Sequence, residues 1–514
     1  MKKYFTALLL TAALGTGAAQ AATLAELNGP LLGKDQWELN ALTDIGYYKE
    51  SFRQKNDDGT AEKAKYDYTQ ASLRPDVTYG LTDKLSLMVQ ESYLVPYNFR
   101  VNDYNIPAGG GTYYKNSYLV RNTLTSALTW RPSEPWEFYF SGSRGYANRG
   151  SQTGDLPKGS GDFGSQGAHA YNTTLTAQAT WLSNPKAGAK TANNRADLDG
   201  LLNPLLDRGQ FKTSLILNYY ADYTRAHRYD AASGGTHFTA NRSYSQELLA
   251  SPSLQYGLRD NLQLQASADL TIPNASYDSS RNHIVQNLTT LQYSMSKSRA
   301  LAGYVPSLRI TNRINNRLQC YATGSYSYQK TSERSLPTSG AASSTVYGRE
   351  TASIGIGADW VSRPQKDGRQ LAADLDGLKK PLLEKRQYRI SASYTTGKQR
   401  DWTQGGASEA GLNTNLYYSE FAYGLTDALQ GFASLELTPG YSTWDSATRK
   451  ITYFPVSSYG AGLTWRPRQT FQAYAAATLT PSYEKAKNYS GSGGYTAKNR
   501  TIAAAATLSA TWLW

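Results

Sequence analysis

The sequence predicts an all-β chain, a transmembrane antiparallel β-barrel of about eighteen strands arranged as three six-stranded repeats. Three observations carry this prediction. Apolar and polar residues alternate at period two over many segments, four short motifs recur three times in one order, and a large aromatic closes one end of nearly every alternating segment. Composition agrees, with 40 Tyr and 44 Gly among 514 residues. A single Cys among these residues excludes thiolate zinc sites, iron–sulfur clusters and haem attachment through Cys-x-x-Cys-His. The formal charge of +13 could suit nucleic acid. However, many lysines lie in turns and linkers (Lys186, Lys190, Lys379, Lys380), so a solvated surface explains the charge and no nucleic-acid partner is expected.

Residues 1–21 read as a cleaved signal peptide. Lys2 and Lys3 precede the apolar stretch from Phe5 to Leu14, and Ala19-Gln20-Ala21 closes it with small residues. The mature chain, 22–514, is expected to be one barrel. No later stretch approaches the roughly 20 apolar residues of a spanning helix.

Three segments align without gaps: LAELNGPLLGKDQW at 24–37, LDGLLNPLLDRGQF at 198–211 and LDGLKKPLLEKRQY at 375–388. A second set is YGLTDKL at 79–85, YGLRDNL at 256–262 and YGLTDAL at 423–429. A third is TWRPSEPW at 129–136, TNRINNRL at 311–318 and TWRPRQTF at 464–471, and a fourth is ATWLS at 179–183, ADWVS at 358–362 and ATWLW at 510–514. They divide the chain into units of about 22–194, 195–371 and 372–514, too long for solenoid repeats.

Within the first unit, alternation predicts strands near 36–50, 69–82, 84–96, 118–131, 135–147 and 170–182. Trp37, Leu39, Ala41, Thr43 and Ile45 share one face, and Glu38, Asn40 and Asp44 the other. Every second connection is a tight turn such as GLTD. The rest are expected to be polar loops, such as 147–169 and 331–347, and linkers at 183–209 and 362–386 join the units. Short turns on one rim and longer loops on the other are the pattern of membrane barrels. The aromatics beside the short turns are Trp37, Tyr79, Trp130, Trp136 and Trp181, then Phe211, Tyr256 and Trp360, then Tyr388, Tyr423, Trp465, Phe471 and Trp512. Asn312 and Leu318 are the two lapses. Rings at one level form an interfacial girdle, because indole and phenol favour the headgroup layer. A soluble sandwich has no reason to align them. Cys320 falls on the same outward face, as a small hydrophobe.

Counting back from Trp514, alternate residues are Trp512, Ala510, Leu508, Ala506, Ala504 and Ile502. A final aromatic behind such a strand resembles the sorting signal of bacterial outer-membrane barrels. With the signal peptide, the YGLTD/YGLRD turns and the girdle, the mature chain resembles a Gram-negative outer-membrane β-barrel of the porin type, with Trp in place of the commoner terminal Phe. The resemblance implies outer-membrane lipid as surroundings, assembly machinery that reads Trp514, and transport of small hydrophilic solutes.

No catalytic set is visible. His169, His227, His237 and His283 are scattered, at least three of them in or beside expected loops, and neither G-x-S-x-G nor a P-loop occurs, so no enzyme, metal or cofactor is expected. Candidate function lies on the inward face, since an eighteen-stranded barrel has room for a lumen. Arg131, Arg313 and Arg466 align across the units, as do Tyr139, Tyr321 and Tyr474. Three guanidinium groups near one mouth would favour anions, unless they brace turns or pair with Asp76 and Glu420. Glu38, Lys212 and Arg389 align but differ in sign. The Pro-Leu-Leu segments 24–32, 198–206 and 375–383 place leucines at helical spacing, which predicts short amphipathic helices that cap the rim, narrow the pore or dock a periplasmic protein. Two functions suit the pattern: a passive diffusion channel, or a sheath around a separate multihaem cytochrome.

Overall fold

The computed structural model describes residues 24–56, 61–105, 112–155, 163–183, 201–202, 204–232, 235–273, 276–286, 290–337, 341–363, 374–404, 410–438, 442–445, 450–453, 455–488 and 495–514. The segment 1–21, expected to be a signal peptide, lies outside the described residues.

The first unit contributes β1 (Trp37–Asn56), β2 (Ala61–Thr82), β3 (Leu85–Asn105), β4 (Thr112–Ser133), β5 (Trp136–Asp155) and β6 (Phe163–Leu182). The second contributes β7 (Phe211–Ala232), β8 (Gly235–Arg259), β9 (Leu262–Thr271, resuming as Tyr277–Gln286), β10 (Thr290–Asn315), β11 (Leu318–Pro337) and β12 (Ser343–Val361). The third contributes β13 (Tyr388–Thr403), β14 (Ala410–Thr426), β15 (Leu429–Thr438, then Ser442–Asp445), β16 (Lys450–Tyr453, then Val456–Arg468), β17 (Phe471–Asn488) and β18 (Tyr495–Leu513). Three strands are interrupted once, so twenty-one hydrogen-bonded segments make eighteen strands among the described residues. Each pairs antiparallel with its sequence neighbours, and β1 pairs with β18 from Glu38↔Leu513 to Asn56↔Tyr495. The sheet has no free edge, which lets a backbone sit in lipid with every ladder bond internal.

Alternation sorts the faces as expected. Trp37, Trp130, Trp136, Trp465 and Trp512 are exposed on the outer face. Girdle rings on neighbouring strands touch: Trp37–Tyr79 at 4.2 Å, Trp136–Trp181 at 6.4 Å, Trp181–Phe211 at 5.0 Å, Trp360–Tyr388 at 5.3 Å, Trp465–Phe471 at 6.0 Å and Phe471–Trp512 at 5.4 Å between centroids. A second level, not foreseen, stands ten residues farther along: Tyr47, Tyr146 and Tyr171, exposed on the face of Trp37, Trp136 and Trp181. At about 3.3 Å per residue and a tilt near 40°, ten residues rise roughly 25 Å, the height of a barrel's apolar band. Between the two levels the outer face carries exposed Leu87, Val89, Leu124, Phe140, Leu175, Leu215, Ile356, Leu463 and Leu508. This apolar belt between two aromatic rings makes the chain an outer-membrane type β-barrel.

The strands are longer than the alternation suggested. β5 runs to Asp155 and β6 begins at Phe163, while β11 runs to Pro337 and β12 begins at Ser343, so most of the loops expected at 147–169 and 331–347 is paired sheet. His169, His227, His237 and His283 accordingly lie in strands. Loss of apolar alternation marks where the wall leaves lipid, whereas hairpin pairing continues with polar side chains on both faces. The short-turn rim is as expected, with the two-residue turns Asp83-Lys84, Glu134-Pro135, Asp260-Asn261, Asn316-Arg317, Asp427-Ala428 and Gln469-Thr470.

The fully buried apolar side chains gather at this rim: Leu182, Leu206, Val361, Leu375 and Leu383. Leu206, Leu375 and Leu383 belong to the Pro-Leu-Leu segments, and Leu182 and Val361 stand at strand ends. Two of these segments open with one-turn helices, α1 (Leu24–Asn28) and α2 (Leu375–Lys379). In the second, only Leu201 and Leu202 are described as helical. The helices stop short of the expected 24–32 and 375–383. A residue preceding proline is pushed out of the α region, and Gly29 (φ 87°) and Lys380 (φ 76°), each one position before the proline, break the helix.

Candidate functional site

Each Pro-Leu-Leu segment lies as a strap inside the short-turn mouth, and the motif that holds it is YGLxD. Asp35, Gly209 and Arg386 adopt positive φ and turn each strap against a strand glycine. Their amides donate to the carbonyls of Gly80, Gly257 and Gly424 at 2.8, 2.8 and 2.7 Å. Those glycine amides donate back to the carbonyls of Gln36, Gln210 and Gln387 at 2.9, 2.9 and 2.8 Å. The glutamine side chains accept from the amides of Gly33, Asp207 and Glu384 at 2.9, 3.3 and 2.9 Å. The motif aspartates Asp83, Asp260 and Asp427 accept from the amides of Lys34, Arg208 and Lys385 at 2.9, 3.1 and 2.9 Å. Glycine is required because a Cβ there would stand 1.9 Å from Gly33 O, 2.0 Å from Asp207 O and 1.9 Å from Glu384 O. Two motifs that read as unrelated in sequence are the two halves of one clasp, made three times.

Two of the aligned arginines fasten the other end of the strap. Arg131 pairs with Glu137, and both its terminal nitrogens donate to the Gly29 carbonyl at 3.3 and 3.2 Å. Arg466 pairs with Asp376 of α2, donates to the Lys380 carbonyl at 2.9 Å and to Gln472 Oε1 at 3.0 Å. Arg313 donates to Gln319 Oε1 at 3.1 and 2.7 Å. The carboxylate thus comes from the strand in the first unit and from the strap in the third. Arg131 and Arg466 are not the free mouth charges that the anion expectation needed, because local acids match them. The bracing alternative describes these two better, with other partners than expected: Asp76 accepts from Asn40 Nδ2 at 2.9 Å, and Glu420 pairs with Arg389.

The straps also join one another. Leu27 of the first packs on Leu206 of the second and on Leu182 at the end of β6. Leu375 and Leu378 of the third pack on Leu32 of the first and on Leu513 at the end of β18. Polar contacts follow the same order: Lys212 Nζ donates to Asn28 Oδ1 at 2.6 Å, and Lys379 Nζ meets Glu38 Oε1 at 2.5 Å. The mismatched signs of Glu38, Lys212 and Arg389 have a reason here, since the first two answer a strap and Arg389 answers Glu420. Burial among these elements pushes the Lys380 ammonium below its usual range. Tyr139, Tyr321 and Tyr474 share the inward faces of their arginine-partner residues Glu137, Gln319 and Gln472. The Arg309 guanidinium lies over the Tyr321 ring at 4.0 Å, and Tyr474 stacks near Phe432 at 6.3 Å. Trp514 ends the seam, its amide donating to the Trp37 carbonyl at 2.9 Å, where Ser183 and Ser362 bond Phe211 and Tyr388 in the other units. Among the described residues no His/Cys/Asp/Glu group is arranged to hold a metal.

No family model and no curated protein matches the chain. Among solved structures it is similar to the ferric yersiniabactin uptake receptor FyuA from Yersinia pestis, with 9% identity and a TM-score of 0.47 over 93% of this chain and 81% of that one. It is also similar to the toluene transporter TodX from P. putida, with 11% identity and a TM-score of 0.32 over 96% and 98%. At these values the overlays say nothing about substrate.

Proposed function

We propose that the chain is an outer-membrane channel through which small hydrophilic solutes diffuse passively, its short-turn mouth narrowed by the strap ring. The observation that carries this reading is the inward face of a closed eighteen-stranded sheet. Above the straps it presents polar and charged side chains such as Asn40, Asp44, Arg74, Thr176, Asn218, Glu247 and Arg389, mostly half-buried and not packed against an apolar core. A sheet of this size encloses more space than its own side chains fill. The straps favour a channel over a cytochrome sheath, because a rigid partner of large cross-section would have to displace a ring clasped at three places. The periplasm is taken as the side of the short turns.

The purified barrel in planar bilayers is expected to show stepwise ohmic conductance. Excising residues 22–31, which carry α1, should raise the unit conductance while the barrel still migrates as a folded species in unheated gels. A folded barrel that conducts nothing, with or without the excision, would sink the channel reading and favour a filled lumen. Exchanging Arg131 and Arg466 for Gln is expected to loosen the straps rather than to abolish an ion preference.

A further inference from the structure

We infer that the lumen holds a built anion site away from the mouth, where Arg121, Arg149 and Arg228 converge over a floor of alanines. The inference rests on the channel reading, since it places a solute-recognition site on that channel's wall. A recess of about 630 Å³ gathers where β4 to β8 pass one another beyond the upper tyrosine level. The three arginines of its lining share the inward face: Arg121 alternates with Arg131 along β4, Arg149 with Glu137 along β5, and Arg228 with Lys212 along β7.

Four inward arginines elsewhere on the wall are matched by a carboxylate on a neighbouring strand. Arg74 pairs with Asp44, Arg299 with Glu333 at 2.7 Å, Arg349 with Asp401 at 2.8 Å, and Arg389 with Glu420. Arg309 and Arg313 are instead held by the Tyr321 ring and by Gln319, whereas Arg121 and Arg149 have no such partner among the described residues. Across the ladder Arg121 faces Ala147, and Arg149 faces Leu119 and Ala168. Both are exposed and neither has a carboxylate partner among the described residues. Ala168 in turn faces Ala226, and Gln166 faces Arg228. The register sets Arg121 and Arg149 as diagonal cross-strand neighbours, about 7–8 Å apart at the backbone. Two long guanidinium groups at that spacing reach one ligand, and the alanines beside them leave room for it. Like charges held side by side without an acid are relieved by an anion that both can chelate. Asp222 is the one acid of the lining, so the recess keeps a positive balance, and Gln166 and Asn241 add amide groups at its border. The ligand class is a small solute bearing two or more anionic oxygens, as polycarboxylates and phosphates do.

Citrate and pyrophosphate serve as probes on the full-length barrel. Each added to one side of a planar bilayer should reduce chloride conductance saturably, and calorimetry on the detergent-solubilised barrel should show binding without any need for conduction. The Arg121→Gln/Arg149→Gln double variant should raise the half-blocking concentration at least tenfold and abolish the calorimetric signal. Arg144→Gln, on the outer face of β5, should change neither. Whichever probe binds tighter assigns the ligand to carboxylates or phosphates. Binding without conductance keeps the site and overturns the channel. Conductance with neither block nor binding overturns the site, as does block that survives in the double variant. Gel migration before heating confirms that each variant has folded.

Discussion

Gly257 shows how closely one residue can be constrained. Its amide and carbonyl both bond the strap, and a Cβ would meet Asp207 O and C at 2.0 and 2.7 Å. Backbone cannot yield there without breaking four-way pairing, so Gly257→Ala is expected to cost about 3 kcal/mol, the upper part of the overpacking range, read as a lower unfolding midpoint in urea. A neighbouring position runs the other way. Gln263 and Gln430 accept from the strap amides of Leu206 and Leu383 at 3.0 and 2.9 Å. The aligned residue in the first unit is Ser86, whose buried hydroxyl has no partner. Ser86→Gln should restore the missing bond and gain about 1 kcal/mol; an unchanged midpoint would show that the first strap does not need it.

At the scale of elements, alternation and turn spacing made the lipid-crossing part of each strand legible, because one face must be apolar there. They understated the strands beyond the membrane, since nothing in a hairpin with polar residues on both faces distinguishes it from a loop. The strap was legible as a recurring motif but not as an inner ring. Its helix spacing suggested more turns than the proline permits, and its partner, YGLxD, lies some 45 positions away in sequence. The arginine level was legible, but the acid that answers it changes element, Glu137 on β5 in one unit and Asp376 on α2 in another. Arg131→Gln would take the guanidinium from the largely buried Glu137 and leave it only the Asn28 amide at 2.8 Å and the nearby Lys212, at a cost of about 2 kcal/mol. Adding Glu137→Gln, the residue type that the other units carry at Gln319 and Gln472, should recover most of that loss in the same urea titration. If the double variant is no better than the single, the pair does not act as a unit.

For the whole molecule, the orientation expected from loop length can be tested directly. Cysteines introduced singly at Glu134, in a short turn, and at Gln152, exposed beyond the upper tyrosine level, in a Cys320→Ser background should react differently with an impermeant maleimide in intact cells. Gln152 should label and Glu134 should not; equal labelling would reverse or undo the assignment.

The first strap is sewn to the first strand of the unit that follows through Asn28 and Lys212, and the last returns to the first through Lys379 and Glu38. A joint of this kind carries no information about how many units stand in the circle. The same tongue and socket would close a circle of two or four, and barrel diameter grows about linearly with strand number. The unit therefore behaves as a stave, and the calibre of the cask is set by how many staves the gene encodes.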